Sequence, residues 1–79
     1  MTSIKVFPNP ASSYCTIEAN NLTDAKVRLT DLMGRSVALS IISQSESSIS
    51  INTENLDSGI YFIVINKEEV VTTRKLIVE

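Results

Sequence analysis

Apolar residues recur at every second position over much of this sequence, and turn-forming residues interrupt the pattern at short intervals. Alternation with a period of two is typical of strands that bury one face, and clusters with Gly, Pro or Asn between the apolar stretches favour short strands over helices. The pattern predicts seven strands, at residues 4–7, 14–19, 26–30, 36–42, 48–52, 60–65 and 70–78. Seven short strands in 79 residues predict an all-β fold, an antiparallel β-sandwich in a single domain.

The alternation also predicts which side chains face the core. In each of three strands one set of apolar residues lies on a single face, and we expect these sets to point inward: Cys15, Ile17 and Ala19; Val27 and Leu29; Ile49 and Ile51. Residues 60–65 are apolar without interruption, which predicts burial on both faces. Residues 43–47 are all polar, and we expect them to form a mobile loop.

Composition excludes several classes of function. The chain has no histidine, so it lacks the commonest general base and the usual imidazole metal ligand. Cys15 is the only cysteine, which rules out an internal disulfide and predicts a small buried hydrophobe. A net charge of −2 makes nucleic acid and anionic lipid poor partners, and no apolar run reaches the roughly 18 residues that span a bilayer. We therefore expect no enzyme activity, no metal, no cofactor and no direct membrane insertion.

Two local patterns in the first half are expected at turns. Pro8-Asn9-Pro10 follows the first strand, and its prolines remove two backbone donors, which predicts a stiff exit from an edge strand. Gly34 lies within Asp31-Leu32-Met33-Gly34-Arg35, where a hairpin connection needs a residue that tolerates positive φ.

Two further patterns lie in the second half. Asp57-Ser58-Gly59-Ile60-Tyr61 is similar to the tyrosine corner of sandwich domains, in which an early Tyr of a strand bonds to the backbone upstream. Residues 73–78, Thr-Arg-Lys-Leu-Ile-Val, form the last predicted strand and stop one residue before the C-terminus. If that strand lies at a sheet edge, it offers backbone groups and a carboxylate to a partner by strand addition.

The four patterns, in this order and spacing, resemble the type A C-terminal sorting domain of the type IX secretion system (Por secretion system) of Bacteroidetes, over nearly the whole chain. The resemblance implies an immunoglobulin-like β-sandwich that folds in the periplasm and directs an upstream cargo protein across the outer membrane. It implies two partners, the secretion translocon and a sortase-like transpeptidase that usually removes the domain, after which the cargo is secreted or held at the cell surface. On this basis residues 1–79 are expected to be one sorting domain excised from a larger secreted protein. The expected recognition and motif residues are Pro8, Asn9, Pro10, Gly34, Gly59, Tyr61, Arg74, Lys75, Leu76 and Val78.

Two positions depart from the family pattern: Glu79 is acidic where many relatives end in a basic or neutral residue, and Cys15 replaces an aliphatic residue. An alternative is an immunoglobulin-like module of a secreted protein that binds carbohydrate or protein, or that acts as a spacer. Carbohydrate platforms depend on exposed aromatic side chains. The chain has only four aromatic residues, Phe7, Tyr14, Tyr61 and Phe62, and we expect Tyr61 to be buried.

Overall fold

The computed structural model describes residues 3–79; residues 1 and 2, which the predicted domain 1–79 includes, lie outside the described part. The chain forms eight strands: β1 (Ile4–Phe7), β2 (Tyr14–Ala19), β3 (Lys26–Asp31), β4 (Ser36–Val37), β5 (Ile41–Gln44), β6 (Ser48–Asn52), β7 (Gly59–Lys67) and β8 (Val70–Val78). They make two four-stranded antiparallel sheets, which pack into the predicted all-β sandwich. Residues 3–79 contain no helix long and apolar enough to cross a membrane.

The first sheet has the strand order β1-β2-β6-β5. Its central pair places Cys15 opposite Ile51 and Ile17 opposite Ile49, and all four side chains are buried. Between them, on the outer face, the hydroxyls of Thr16 and Ser50 lie 2.9 Å apart in a hydrogen bond. The alternation predicted for these two strands is therefore confirmed, with the apolar residues inward.

The second sheet has the order β4-β3-β7-β8 and contains the two longest strands, β7 and β8, which pair over nine residues. The register places Leu29 opposite Ile63, and both are buried in the core. Burial on both faces of β7 is confirmed only in part: Val64 on the outer face is buried, whereas Ile60 on the same face is 37% exposed. The outer face of this sheet is thus covered near the middle of β7 and open near its start.

The sandwich has eight strands where about seven were predicted, because the segment predicted as one strand at 36–42 contributes a strand to each sheet. Ser36 and Val37 pair with β3 in the second sheet, and Ile41 begins β5 in the first. Between them Leu39 packs against the core as the chain crosses from one sheet to the other. Alternation alone does not reveal such a crossing, since both halves keep apolar residues.

The loop predicted at residues 43–47 is shorter in the structure. Ser43 and Gln44 belong to β5, so only residues 45–47 connect it to β6. Ser45 closes this connection: its hydroxyl accepts hydrogen bonds from the N–H groups of Ser47 and Ser48, and its own N–H donates to the Ser48 carbonyl at 2.8 Å. The loop that we expected to be mobile is a short hydrogen-bonded turn.

The core between the sheets is aliphatic, with one thiol and one threonine among its fully buried side chains: Ile17, Leu22, Leu29, Ile49, Ile51, Ile63, Ile65, Leu76, Thr53 and Cys15. Burial of each Leu or Ile contributes about 1.5–3 kcal/mol relative to an exposed side chain. Cys15 is a free thiol with no exposed surface, as predicted, and burial raises its pKa to about 11.

Candidate functional site

The second sheet brings most of the predicted motif residues to one end. In its register Asp31 at the end of β3 lies opposite Tyr61, and Gly59 at the start of β7 lies opposite Val78 at the end of β8. The β3–β4 turn with Gly34, the corner before β7 and the end of the last strand therefore lie side by side.

The β3–β4 turn is organised by the carboxylate of Asp31. Its Oδ1 accepts hydrogen bonds from the N–H groups of Met33 at 2.8 Å and Arg35 at 3.0 Å, and its Oδ2 accepts one from Arg35 Nε at 3.0 Å. The Arg35 backbone N–H, with help from Met33 and the guanidinium, lowers the pKa of this carboxyl. Gly34 has φ of +81°, a conformation that glycine adopts without strain, so the predicted positive φ is confirmed.

This rigid turn presents two apolar side chains to solvent. Leu32 is 64% exposed and Met33 is 78% exposed. Behind them a shallow cavity of about 240 Å³ extends to the start of β7, where Ile60 contributes a third apolar wall. Sequence reasoning treated this segment only as a connection. The signal that it missed is the pair of large apolar residues at the tip of a turn, where polar residues are usual.

The corner before β7 has the hydrogen bond that its sequence predicts. The hydroxyl of Tyr61 donates to the carbonyl of Asp57 at 2.6 Å, and the Tyr61 ring is 9% exposed. Leu56 packs against the core just upstream. Tyr61 is therefore a buried structural residue, which leaves Phe7 and Tyr14, at 43% and 47% exposure, as the open aromatic side chains in residues 3–79.

The Pro8-Asn9-Pro10 segment contacts the last strand directly. Asn9 Oδ1 accepts a hydrogen bond from the Ile77 N–H at 3.0 Å, and Asn9 Nδ2 donates to the Lys75 carbonyl at 3.1 Å. Two residues on, the N–H of the fully buried Ala11 donates to the Ile77 carbonyl, and the Ala11 carbonyl accepts from the Glu79 N–H. We call these four hydrogen bonds the latch. Both prolyl peptide bonds, Phe7–Pro8 and Asn9–Pro10, are cis.

The latch reduces the number of backbone groups of β8 that are free to pair with a partner strand. β8 lies at the edge of its sheet, but the latch already pairs the Lys75 carbonyl, both backbone groups of Ile77 and the Glu79 N–H. Along an antiparallel edge strand the backbone N–H and C=O groups of every second residue point away from the sheet. Those of Val71 and Thr73 therefore also point outward, and the latch does not pair them. Strand addition over residues 75–79 would therefore have to displace Asn9 and Ala11.

The two cations of the last strand lie on opposite faces of the sheet. Arg74 is opposite Ile63 on the face that carries the core, and Lys75 is opposite Phe62 on the outer face. Both side chains are exposed, and the Arg74 guanidinium donates to the Thr73 carbonyl. Within residues 3–79 the sole ion pair joins Arg35 to Asp31, so neither cation is neutralised by a carboxylate.

The predicted residues thus have three different surroundings. Leu76 and Val78 are 0% and 2% exposed and belong to the core. Gly34 and Tyr61 fix the backbone, and Asn9 holds the last strand. Only Arg74 and Lys75 project polar groups into solvent. No cluster of three or more potential metal ligands occurs in residues 3–79.

Comparison with known proteins agrees with this architecture. Residues 5–79 match the family described as the secretion system C-terminal sorting domain, and the chain belongs to that family. A relative, the ulvan lyase NLR42 of Nonlabens ulvanivorans, is 40% identical over 80 residues. The match covers 98% of this chain and 15% of the relative, so the chain spans a small part of that protein's length. The resemblance inferred from the four motifs is confirmed. Domains of this family are typically non-catalytic, and membership implies a secretion signal that interacts with the secretion machinery.

Proposed function

We propose that this chain is the non-catalytic C-terminal sorting domain of a larger secreted protein, and that it directs the upstream cargo through the type IX translocon. Family membership over residues 5–79 is the observation that carries this proposal. The small share of the lyase relative that the chain matches is consistent with a domain that accompanies a much longer cargo. Removal by a sortase-like transpeptidase, with the cargo then secreted or held at the cell surface, completes the proposed route.

A fusion experiment tests the secretion signal. The chain is placed after a fluorescent protein that carries its own export signal to the periplasm, in a bacterium with a type IX system. We expect the reporter outside the outer membrane, and in the periplasm when the translocon is deleted. Folded reporter that stays in the periplasm of the intact strain would overturn the proposal. A shorter surface product than the periplasmic one would support cleavage by the transpeptidase.

We also propose that the machinery recognises the latched end of β8 through the side chains of Arg74 and Lys75 and the terminal residue Glu79. Three features support this. Both cations are exposed and lack a carboxylate partner within residues 3–79. The backbone edge beside them is already paired by Asn9 and Ala11. The strand itself is fixed by the burial of Leu76 and Val78, so the cations are held in a defined place.

Deletion of residues 75–79 cannot test this surface cleanly. It removes Leu76 and Val78 from the core together with all four latch bonds, and loss of one such Leu side chain alone costs about 2–5 kcal/mol. A truncated domain that fails to fold would fail to be exported for that reason. Replacing the exposed Arg74 and Lys75 with glutamine removes both charges and leaves Leu76 and Val78 in the core, so this change separates recognition from folding.

One observation favours the alternative of a carbohydrate-binding module. Phe7 is opposite Thr16 on the outer face of the first sheet, and Tyr14, two residues from Thr16, shares that face. Both rings are exposed and could stack on a sugar. Saturable binding to a polysaccharide that is lost in Tyr14→Ala would support this function, and absence of binding would remove it.

A further inference from the structure

The sandwich has four edge strands, and three of them carry or adjoin charge. β1 contains Lys5, and β4 is two residues long and starts directly after Arg35. β8 contains Arg74 and Lys75 and is partly covered by the latch. Charged residues, short strands and covering segments are the usual devices that stop a sheet edge from pairing with another chain. These three edges are therefore protected.

The fourth edge, β5, has none of these charges. Residues 36–45 include no charged side chain, so β5 and both its flanks are neutral. All four residues of β5 are exposed, among them Ile41 at 47% and Ile42 at 58%. A bulge between Ile41 and Ser43 bends the strand, but within residues 3–79 no strand pairs with its outer side. β5 thus offers unpaired backbone groups beside two exposed isoleucines.

We propose that β5 is a self-association edge, at which two copies of this chain pair antiparallel about a twofold axis and join their first sheets into one continuous sheet. An isologous contact needs only one strand that is complementary to itself. β5 meets that condition because its neutral side chains bring no like charges together, and a twofold axis at residue 42 places the Ile42 side chains of the two copies opposite each other. The same pairing through β8 would bring Arg74 and Lys75 of both copies close together. The inference is independent of whether the domain is a secretion signal.

Two variants separate this edge from the other exposed apolar edge. Ile42→Lys puts a charge on β5, and Val71→Lys puts the same charge on β8. The pair is well matched, since both residues are β-branched, lie on edge strands, and are 58% and 59% exposed. Ile42→Thr is a milder variant that keeps a β-branched side chain in case the lysine prevents folding. Circular dichroism and a thermal melt confirm the fold of each variant.

The readout is sedimentation equilibrium from about 10 μM to about 1 mM, because a four-residue strand contact belongs to the weak class with a dissociation constant on the order of 100 μM. We expect a monomer–dimer equilibrium in the parent chain and in Val71→Lys, and a dissociation constant at least tenfold higher in Ile42→Lys and Ile42→Thr. Hydrogen exchange at Ile42 and Gln44 should slow as concentration rises. A parent chain that stays monomeric, or a dimer that Val71→Lys disrupts and Ile42→Lys does not, would overturn the proposal.

Discussion

Asn9 and Ile77 are 68 positions apart in the sequence, yet the carboxamide oxygen of Asn9 accepts the backbone N–H of Ile77 at 3.0 Å. Through this bond the segment that leaves the first strand closes the edge of the last one. The start of the domain and its C-terminal end are therefore parts of one structure. A change in the Pro8-Asn9-Pro10 segment alters how the last strand is held, without any change in the last strand itself.

Loss of the Asn9 side chain should loosen the end of β8. Asn9→Ala removes two side-chain hydrogen bonds, and we expect the free energy of unfolding to fall by about 1–2 kcal/mol. The amide of Ile77 should exchange with solvent faster, because its acceptor is gone. Denaturant unfolding and hydrogen exchange measure both effects. Asn20→Ala is the control, since Asn20 is exposed and outside the latch; equal stability of the two variants would contradict this role of Asn9.

Tyr61 and Tyr14 offer a matched test of the tyrosine corner. Tyr61→Phe removes the bond to the Asp57 carbonyl, and we expect a loss of about 0.5–1.5 kcal/mol in unfolding free energy. Tyr14→Phe removes a hydroxyl from a ring that is 47% exposed and should change stability by much less. A urea titration of both variants checks the difference. If Tyr14→Phe is as costly as Tyr61→Phe, the corner contributes no specific stability.

The stability of the β3–β4 turn should depend on how well residue 34 tolerates a positive φ. Gly34→Ala places a Cβ in the left-handed region at φ of +81°, and we expect a loss of about 1–2 kcal/mol. Outside residues 33–35 no heavy atom lies within 4 Å of that Cβ, so the loss would reflect backbone strain and not a clash. Gly34→Asn should cost less, because asparagine tolerates this region better. Thermal or urea unfolding measures both variants, and a Gly34→Asn variant that is less stable than Gly34→Ala would refute the explanation.

The buried thiol of Cys15 predicts a pH dependence at the alkaline end. Burial raises its pKa from 9.0 to about 11, so between these values the unfolded chain ionises while the folded chain keeps a neutral thiol. The stabilisation is complete below pH 9 and is lost as the pH rises through 11, and its size is about 1–3 kcal/mol. Cys15→Val should lack this component. Unfolding free energies of both chains from pH 7 to 11 measure it, and parallel curves would contradict the prediction.

The alternating strands were predictable because each buries one face, and the alternation of apolar and polar residues identifies that face. Cys15, Ile17, Ile49 and Ile51 are all inward as expected. The Tyr61 bond was predictable as well, since a corner joins residues only four positions apart. These features depend on short stretches of sequence.

Features that depend on distant pairing were not predictable in the same way. The division of 36–42 between two sheets depends on which strand each half meets, and Leu39 looks like any other apolar strand residue. The latch needs the carboxamide of Asn9 to reach a strand 68 positions away. The sequence indicated a stiff turn at that point, but nothing local in it identifies the strand that the turn contacts.

The export of a reporter with and without the two cations tests the central claim most directly. The reporter fusion carries either Arg74→Gln with Lys75→Gln, or the control pair Lys26→Gln with Arg28→Gln, which removes two exposed cations from β3 of the same sheet. Before export is measured, the two purified double variants must show the same midpoint of thermal unfolding as the parent domain. We predict that the control reaches the cell surface at the parent level, while the β8 variant falls at least tenfold and accumulates in the periplasm. Normal surface export of the β8 variant would contradict the claim that the latched end of the last strand is what the machinery reads.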